Sequence, residues 1–154
     1  MDPDAVELLA GAASGISRLR ALGLKIAICS NQSVVGRGLC TRERVDAVHA
    51  RVLELLNREG AGVDAIFFCP HAPWAQCDCR KPAPGLGLRA AAEFGIAPTM
   101  AVVIGDQASD VGFGKSLGAR TILVGAQDVP QGADPPDALV AQLPDAATWI
   151  EDLL

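Results

Sequence analysis

The chain has 154 residues, room for one domain; half are hydrophobic and a fifth charged, a balance that excludes a disordered or low-complexity protein. Thirteen Lys and Arg against eighteen Asp and Glu give a net charge of −5, which speaks against a nucleic-acid or anionic-membrane surface but leaves room for a local phosphate site. No apolar run approaches the roughly 20 residues that span a bilayer, and the opening MDPDAVELLAG lacks the basic-then-apolar order of a secretory signal.

Taken in chain order, residues 4–22 are expected to form a helix, because Val6, Leu9, Ile16, Leu19 and Leu22 recur at helical spacing before Gly23. The run LKIAIC over 24–29 suits a buried strand, followed by Ser30-Asn31-Gln32-Ser33 and a glycine-bearing loop. Thr41 is placed to cap a helix whose apolar stripe is Val45, Val48, Val52, Leu55 and Leu56. Strands are expected at 63–68, 100–104, 120–124 and 138–141, with helices at 86–94, 108–117 and 145–154 and a surface loop over 126–136. This alternation predicts an α/β fold, a parallel sheet with helices on both faces, whose ligand site lies beyond the carboxyl ends of the strands.

Five cysteines make an odd count, and three crowd into eleven residues with a histidine: Cys69-Pro-His71 and Cys77-Asp-Cys79. That is a poor disulfide framework and a good metal cluster, so a reducing, cytoplasmic setting is expected. Three thiols and an imidazole suit tetrahedral Zn2+, and a closed set of four protein ligands implies a structural ion. Cys29 is expected in the core, Cys40 has no partner in view, and His49 is expected on a solvated helix face.

Polar groups follow the strands. Ser30 and Asn31 offer a hydroxyl and backbone N–H groups for a phosphate, or a plain turn. Arg80 and Lys81 leave the cysteine loop as a guanidinium and an ammonium, both suited to phosphoryl oxygens, or as two solvated charges. In Gly105-Asp106-Gln107-Ala108-Ser109-Asp110, an aspartate at a strand end with another four residues on suits Mg2+; alternatively, Asp106 or Ser109 simply starts the next helix.

In this order, strand–SNQS, CPH…CDCRKP and strand–GDQASD resemble the haloacid dehalogenase superfamily. Within its subfamily III they resemble the group of D-glycero-D-manno-heptose 1,7-bisphosphate and histidinol-phosphate phosphatases. The resemblance implies a Rossmann-like fold and hydrolysis of a small phosphorylated substrate through an aspartyl-phosphate, with Mg2+. It implies that Ser30 and Lys81 stabilise the phosphoryl group and that Asp106 holds the catalytic Mg2+. Arg80, Asn31, Gln32, Ser33 and Gln107 would contact substrate, while Cys69, His71, Cys77 and Cys79 hold structural Zn2+. A monomer with no nucleic-acid or membrane partner is expected.

The pattern departs from the family at its first motif, a strand ending in Asp-x-Asp that supplies the nucleophile. Asp2-Pro3-Asp4 has the spacing, but no strand precedes it and a helix follows, so it reads as a helix N-terminus. In relatives that first strand is central, between the strands expected here at 24–29 and 100–104. Its absence leaves three expectations: those neighbours pair directly, another chain fills the gap, or the chain is an N-terminal truncation, the reading preferred. A phosphatase impaired for want of its nucleophile is therefore expected, with a non-catalytic phosphate-ligand or partner-binding module as the alternative. A zinc-dependent hydrolase ranks lowest, since four protein ligands leave the ion no free position.

Overall fold

The computed structural model describes residues 1–125, 129 and 133–154. Five short strands, β1 (Ala27–Asn31), β2 (Ala65–Cys69), β3 (Val102–Gly105), β4 (Arg120–Val124) and β5 (Ala138–Val140), alternate with six helices. These are α1 (Ala12–Ala21), α2 (Ser33–Gly36), α3 (Arg42–Arg58), α4 (Gly85–Phe94), α5 (Ala108–Leu117) and α6 (Leu143–Glu151). Every ladder is parallel, but there are two sheets, β1–β2 and β3–β4–β5. Of the three expectations for the gap, direct pairing of the neighbours is overturned: β1 and β3 remain separate edges.

Period-two alternation divides the strands between two apolar layers. Val102 and Ile104 of β3 face a cluster with Leu19 of α1 and Ala146, Ala147 and Ile150 of α6. Val103 faces the other way, into Leu86 of α4 and Phe113 and Leu117 of α5. Helices thus cover both faces, as expected.

Several boundaries differ from the sequence reading. The helix expected over 4–22 is a 3-10 turn at Pro3–Ala5, capped by Asp2, then irregular chain, then α1. Gly11 turns left-handed (φ +82°) immediately before α1, which breaks the continuity, and Leu9, counted in the apolar stripe, is 83 % exposed. The first strand starts at Ala27 and not Leu24. Leu24 is still closing the α1 turn through its N–H to Leu19, and the Ile26 N–H donates to the Asp64 carboxylate at 2.7 Å. The second strand runs on to Cys69, so the first thiol stands on a strand end. Thr41 caps α3 through its hydroxyl, which accepts from Arg44 N–H. His49 is half-buried against the Phe68 ring at 5.2 Å, so it is not the solvated residue expected, and that burial lowers its pKa. The loop expected over 126–136 falls mainly outside the described residues.

Asp64 ties the start of β1 to its surroundings. Besides the Ile26 amide, its carboxylate accepts from Arg20 at 2.9 Å and lies 3.5 Å from Lys25. The Ile26 N–H and these cations hold its carboxyl below the usual aspartate range. A depressed folded-state pKa gives stability that is present above the unfolded value, about 3.9, and is lost as pH falls through the folded one. Asp64→Asn should therefore cost about 1 kcal/mol near neutral pH, after allowance for solvent screening, and lower Tm by about 2–4 °C. Thermal melts of the two proteins should converge in acid, below both values.

Candidate active site

Parallel register places Asn31 opposite Cys69, so the carboxyl end of β1 meets the cysteine loop. The loop is sewn to the residues after β1 by backbone bonds: Gln32 N–H donates to the Cys69 carbonyl at 2.8 Å and Gly36 N–H to the Pro70 carbonyl at 2.7 Å. The approach is so close that a β-carbon on Gly36 would lie 2.3 Å from the Ala72 nitrogen.

Within the loop, one donor atom from each of Cys69, His71, Cys77 and Cys79 lies within 4.8 Å of the others. Cys69 Sγ is 3.7 Å from Cys77 Sγ and 3.5 Å from His71 Nδ1, and that nitrogen is 3.2 Å from Cys79 Sγ. A tetrahedral ion with Zn–S bonds of about 2.3 Å separates its sulfurs by about 3.8 Å, so this donor set fits Zn2+. The electrostatics agree. Burial and the adjoining thiols push Cys79 up to about 12; burial opposes ionisation of Cys77 too, but the Arg80 amide and the flanking thiols draw it down to about 7. One thiolate is favoured and the next opposed, a conflict that a divalent cation removes.

The loop ends by delivering Lys81. Asn31 grips its peptide group from both sides: the side-chain amide donates to the Lys81 carbonyl at 3.1 Å and accepts from the Lys81 N–H at 3.0 Å. The Lys81 ammonium then reaches Asp110 at 2.6 Å, a pair only 16 % and 9 % exposed. The second Asp110 oxygen accepts from the backbone N–H groups of Asp106 (3.2 Å) and Gln107 (3.1 Å), so Asp110 also closes the first turn of α5. Gly105 permits this: a β-carbon there would lie 2.3 Å from the Asp110 carboxyl.

The structure thus joins the polar ends of β1 and β3 at Lys81. Gln32 donates to Ser30 Oγ at 3.2 Å, orienting that hydroxyl. Arg80 buries Nη1 with no hydrogen-bond partner among the described residues, leaving a donor free. Asp106 is exposed at the end of β3, and its carboxylate makes no bond among the described residues. Mg2+ commonly takes only one or two carboxylates and keeps several waters, so Asp106 fits as one ligand; the described residues form no further cage around it. Asn31, expected as a substrate contact, spends both ends of its amide on Lys81, and Gln107 serves as the residue that starts α5. Ser33 opens α2 beside them. Sequence reasoning missed Asp110 as the partner of Lys81. Its position at the third residue of a helix, three after Gln107, was the available signal.

A HAD-hydrolase-like family model matches residues 78–146. Among curated relatives, the D-glycero-beta-D-manno-heptose-1,7-bisphosphate 7-phosphatase of Pseudomonas putida is 37 % identical over 115 residues, 74 % of this chain and 65 % of its own length. That of Bordetella bronchiseptica is 32 % identical over 99 % of this chain and 86 % of its own length. A crystal structure of D,D-heptose 1,7-bisphosphate phosphatase from B. bronchiseptica, complexed with magnesium and phosphate, superposes with a TM-score of 0.88 at 28 % identity. It covers 99 % of this chain and 88 % of that one. The chain belongs to the HAD-like hydrolases, in the family of these heptose bisphosphate phosphatases. It spans just under two thirds of the length of the Pseudomonas relative.

Two outcomes test this geometry. Purified protein should carry about one zinc per chain by elemental analysis; Cys79→Ser should lose it and be destabilised by several kcal/mol, since metal binding to such a site is folding free energy. Gly105→Ala should cost about 1–3 kcal/mol by overpacking, and NMR of the Lys81 ammonium should show its pairing with Asp110 lost.

Proposed function

We propose that residues 1–154 carry the phosphoryl-handling part of a Mg2+-dependent sugar-bisphosphate phosphatase, acting on a substrate of the D-glycero-D-manno-heptose 1,7-bisphosphate class. The observation that carries the reading is the Lys81 ammonium, brought to the carboxyl ends of β1 and β3 and fixed by Asp110 at 2.6 Å. With one N–H spent on Asp110, the ammonium has two left for phosphoryl oxygens. Ser30 Oγ–H donates to the same group, and the unpartnered Arg80 Nη1 supports recognition of phosphate. These donors are held before substrate arrives, the condition under which they stabilise developing charge without reorganisation.

Asp106 would hold Mg2+, which when bound supplies Lewis-acid neutralisation of phosphoryl charge. Among the described residues, neither Asp110 nor Asp2 is free to serve as the attacking carboxylate. Asp110 is committed to Lys81 and to two backbone amides, and Asp2 accepts from Asp4 N–H and pairs with Arg44 at the start of α3. The zinc cluster acts structurally, fixing the segment that ends in Lys81. With Asp106 assigned to Mg2+ and Asp110 and Asp2 committed elsewhere, a second reading is a module that binds phosphate without turning it over.

Phosphate release from D-glycero-beta-D-manno-heptose 1,7-bisphosphate separates these readings. It should be measured with the chain alone and with a chimera in which an apolar strand ending in Asp-x-Asp precedes Met1. The chain alone should release none above background. The chimera should do so only with Mg2+, and Lys81→Ala or Asp106→Asn in it should lower kcat by about a hundredfold or more. A folded chimera that stays inactive while the chain binds orthophosphate would establish the second reading.

A further inference from the structure

The loop that carries the metal donors also carries a tight turn with an aromatic tip. Ala75 N–H donates to the Ala72 carbonyl at 3.0 Å, closing a turn with Pro73 and Trp74 at its centre. Proline presets the backbone for the first of those two central positions. Cys77 N–H then donates to the Ala75 carbonyl at 2.9 Å, and His71 and Cys77, on either side of the turn, both belong to the metal cluster. Ala72, at the base of the turn, is buried against Gly36. The mount is therefore rigid, yet Trp74 at its tip is 73 % exposed. Apolar surface left in water contributes nothing to the core, so packing does not account for an indole there.

A cation holds one face of that ring. The Arg37 guanidinium lies 5.7 Å from the Trp74 ring centroid, close enough for a cation–π contact. Arg37 enters none of the ion pairs formed among the described residues. It ends the short helix that Ser33 opens, and its N–H donates to the Ser33 carbonyl at 3.0 Å. A side chain in helical backbone leans toward the helix N-terminus, so Arg37 leans back over the turn at Ser33. Arg37 and Trp74 thus stand on the two segments, 30–37 and 69–81, that carry the phosphate donors Ser30 and Lys81 and are bonded to each other. With Arg37 over one face of the indole, the other face is open to solvent.

We propose that Trp74 is a specificity-determining residue, its open indole face a platform for the carbon skeleton of a phosphorylated sugar whose reacting phosphoryl group lies at Ser30 and Lys81. The inference rests on the phosphatase reading above. Ser30, Arg80 and Lys81 address phosphoryl oxygens, and free orthophosphate offers them the same atoms. None of the three senses what the phosphate is attached to. A sugar presents a face of slightly positive C–H bonds, which packs on the electron-rich face of an indole while its hydroxyls stay in water. Arg37 is a positioning residue: it pins the ring before substrate arrives, so less side-chain freedom is lost on binding.

Binding to the full 154-residue chain tests it, with D-glycero-beta-D-manno-heptose 1,7-bisphosphate and orthophosphate as the two probes. The sequence holds one other tryptophan, Trp149, so Trp149→Phe leaves Trp74 as the sole indole fluorophore. In that background the sugar bisphosphate should change the Trp74 emission and orthophosphate should not. By calorimetry on the unsubstituted chain and its variants, Trp74→Ala should weaken the sugar bisphosphate about tenfold and leave orthophosphate unchanged, and Trp74→Phe should restore most of the loss. Arg37→Met should weaken the sugar by less, and should add nothing once Trp74 is Ala, as a residue acting through the ring must. Equal sugar affinity in the parent chain and Trp74→Ala would overturn the platform while leaving the phosphate site standing. Equal weakening of both probes by Trp74→Ala would overturn it too, since Trp74 would then merely support the loop. If neither probe binds the parent chain, the phosphatase reading itself fails and takes this inference with it.

Discussion

The ion pair between Lys81 and Asp110 organises the region where the strands end. A buried pair of this kind adds little net stability, because desolvating two charges offsets most of their attraction, but removing one partner leaves the other stranded at a cost of about 3–5 kcal/mol. Its consequence is therefore positional. Asp110 can hold Lys81 only while it also receives the amides of Asp106 and Gln107, and Lys81 can reach Asp110 only while Asn31 holds its peptide. Three segments distant in sequence, 30–33, 80–82 and 105–110, are fixed by one connected set of hydrogen bonds.

Much of this was legible in the sequence. The helix at 108–117 and the strand at 120–124 were read with the observed limits, because Gly118 ends the helix and the apolar run that follows is short and bounded. The four donors of the metal cluster were legible because Cys and His are scarce in this chain, and thiols packed this tightly around an imidazole suit a metal far better than a disulfide. The N-terminal helix was misread because periodicity records where apolar residues fall and not whether they are buried: Leu9 has the spacing and faces water. Asp110 as the partner of Lys81 was hidden because 29 residues separate them, and only the crossing of the loop over α5 brings them to 2.6 Å. Asn31 was hidden for a related reason. The bonds it makes to the Lys81 peptide cross 50 residues of sequence and leave no mark on local spacing.

Division of the strands into two sheets shapes the energetics as well as the site. With no ladder from β1 to β3, the halves are joined by helix packing and by the loop that ends in Lys81. Apolar contacts tolerate sliding; a bidentate amide grip and a buried ion pair do not. Cohesion across the gap between β1 and β3 thus combines the apolar packing of α1 on α6, and of the two clusters that span both sheets, with the directional bonds that fix Lys81.

Gly36 extends the reach of the cysteine cluster in the opposite direction. Because its bare backbone lies flush against Ala72 and donates to Pro70, the turn after Ser30 is cast in the mould of the thiol loop. On the proposed reading, stripping zinc from the cluster would blur both walls of the pocket in one event, the hydroxyl side along with the ammonium side. A cell short of the metal would then see the phosphate cradle fail all at once and not by degrees.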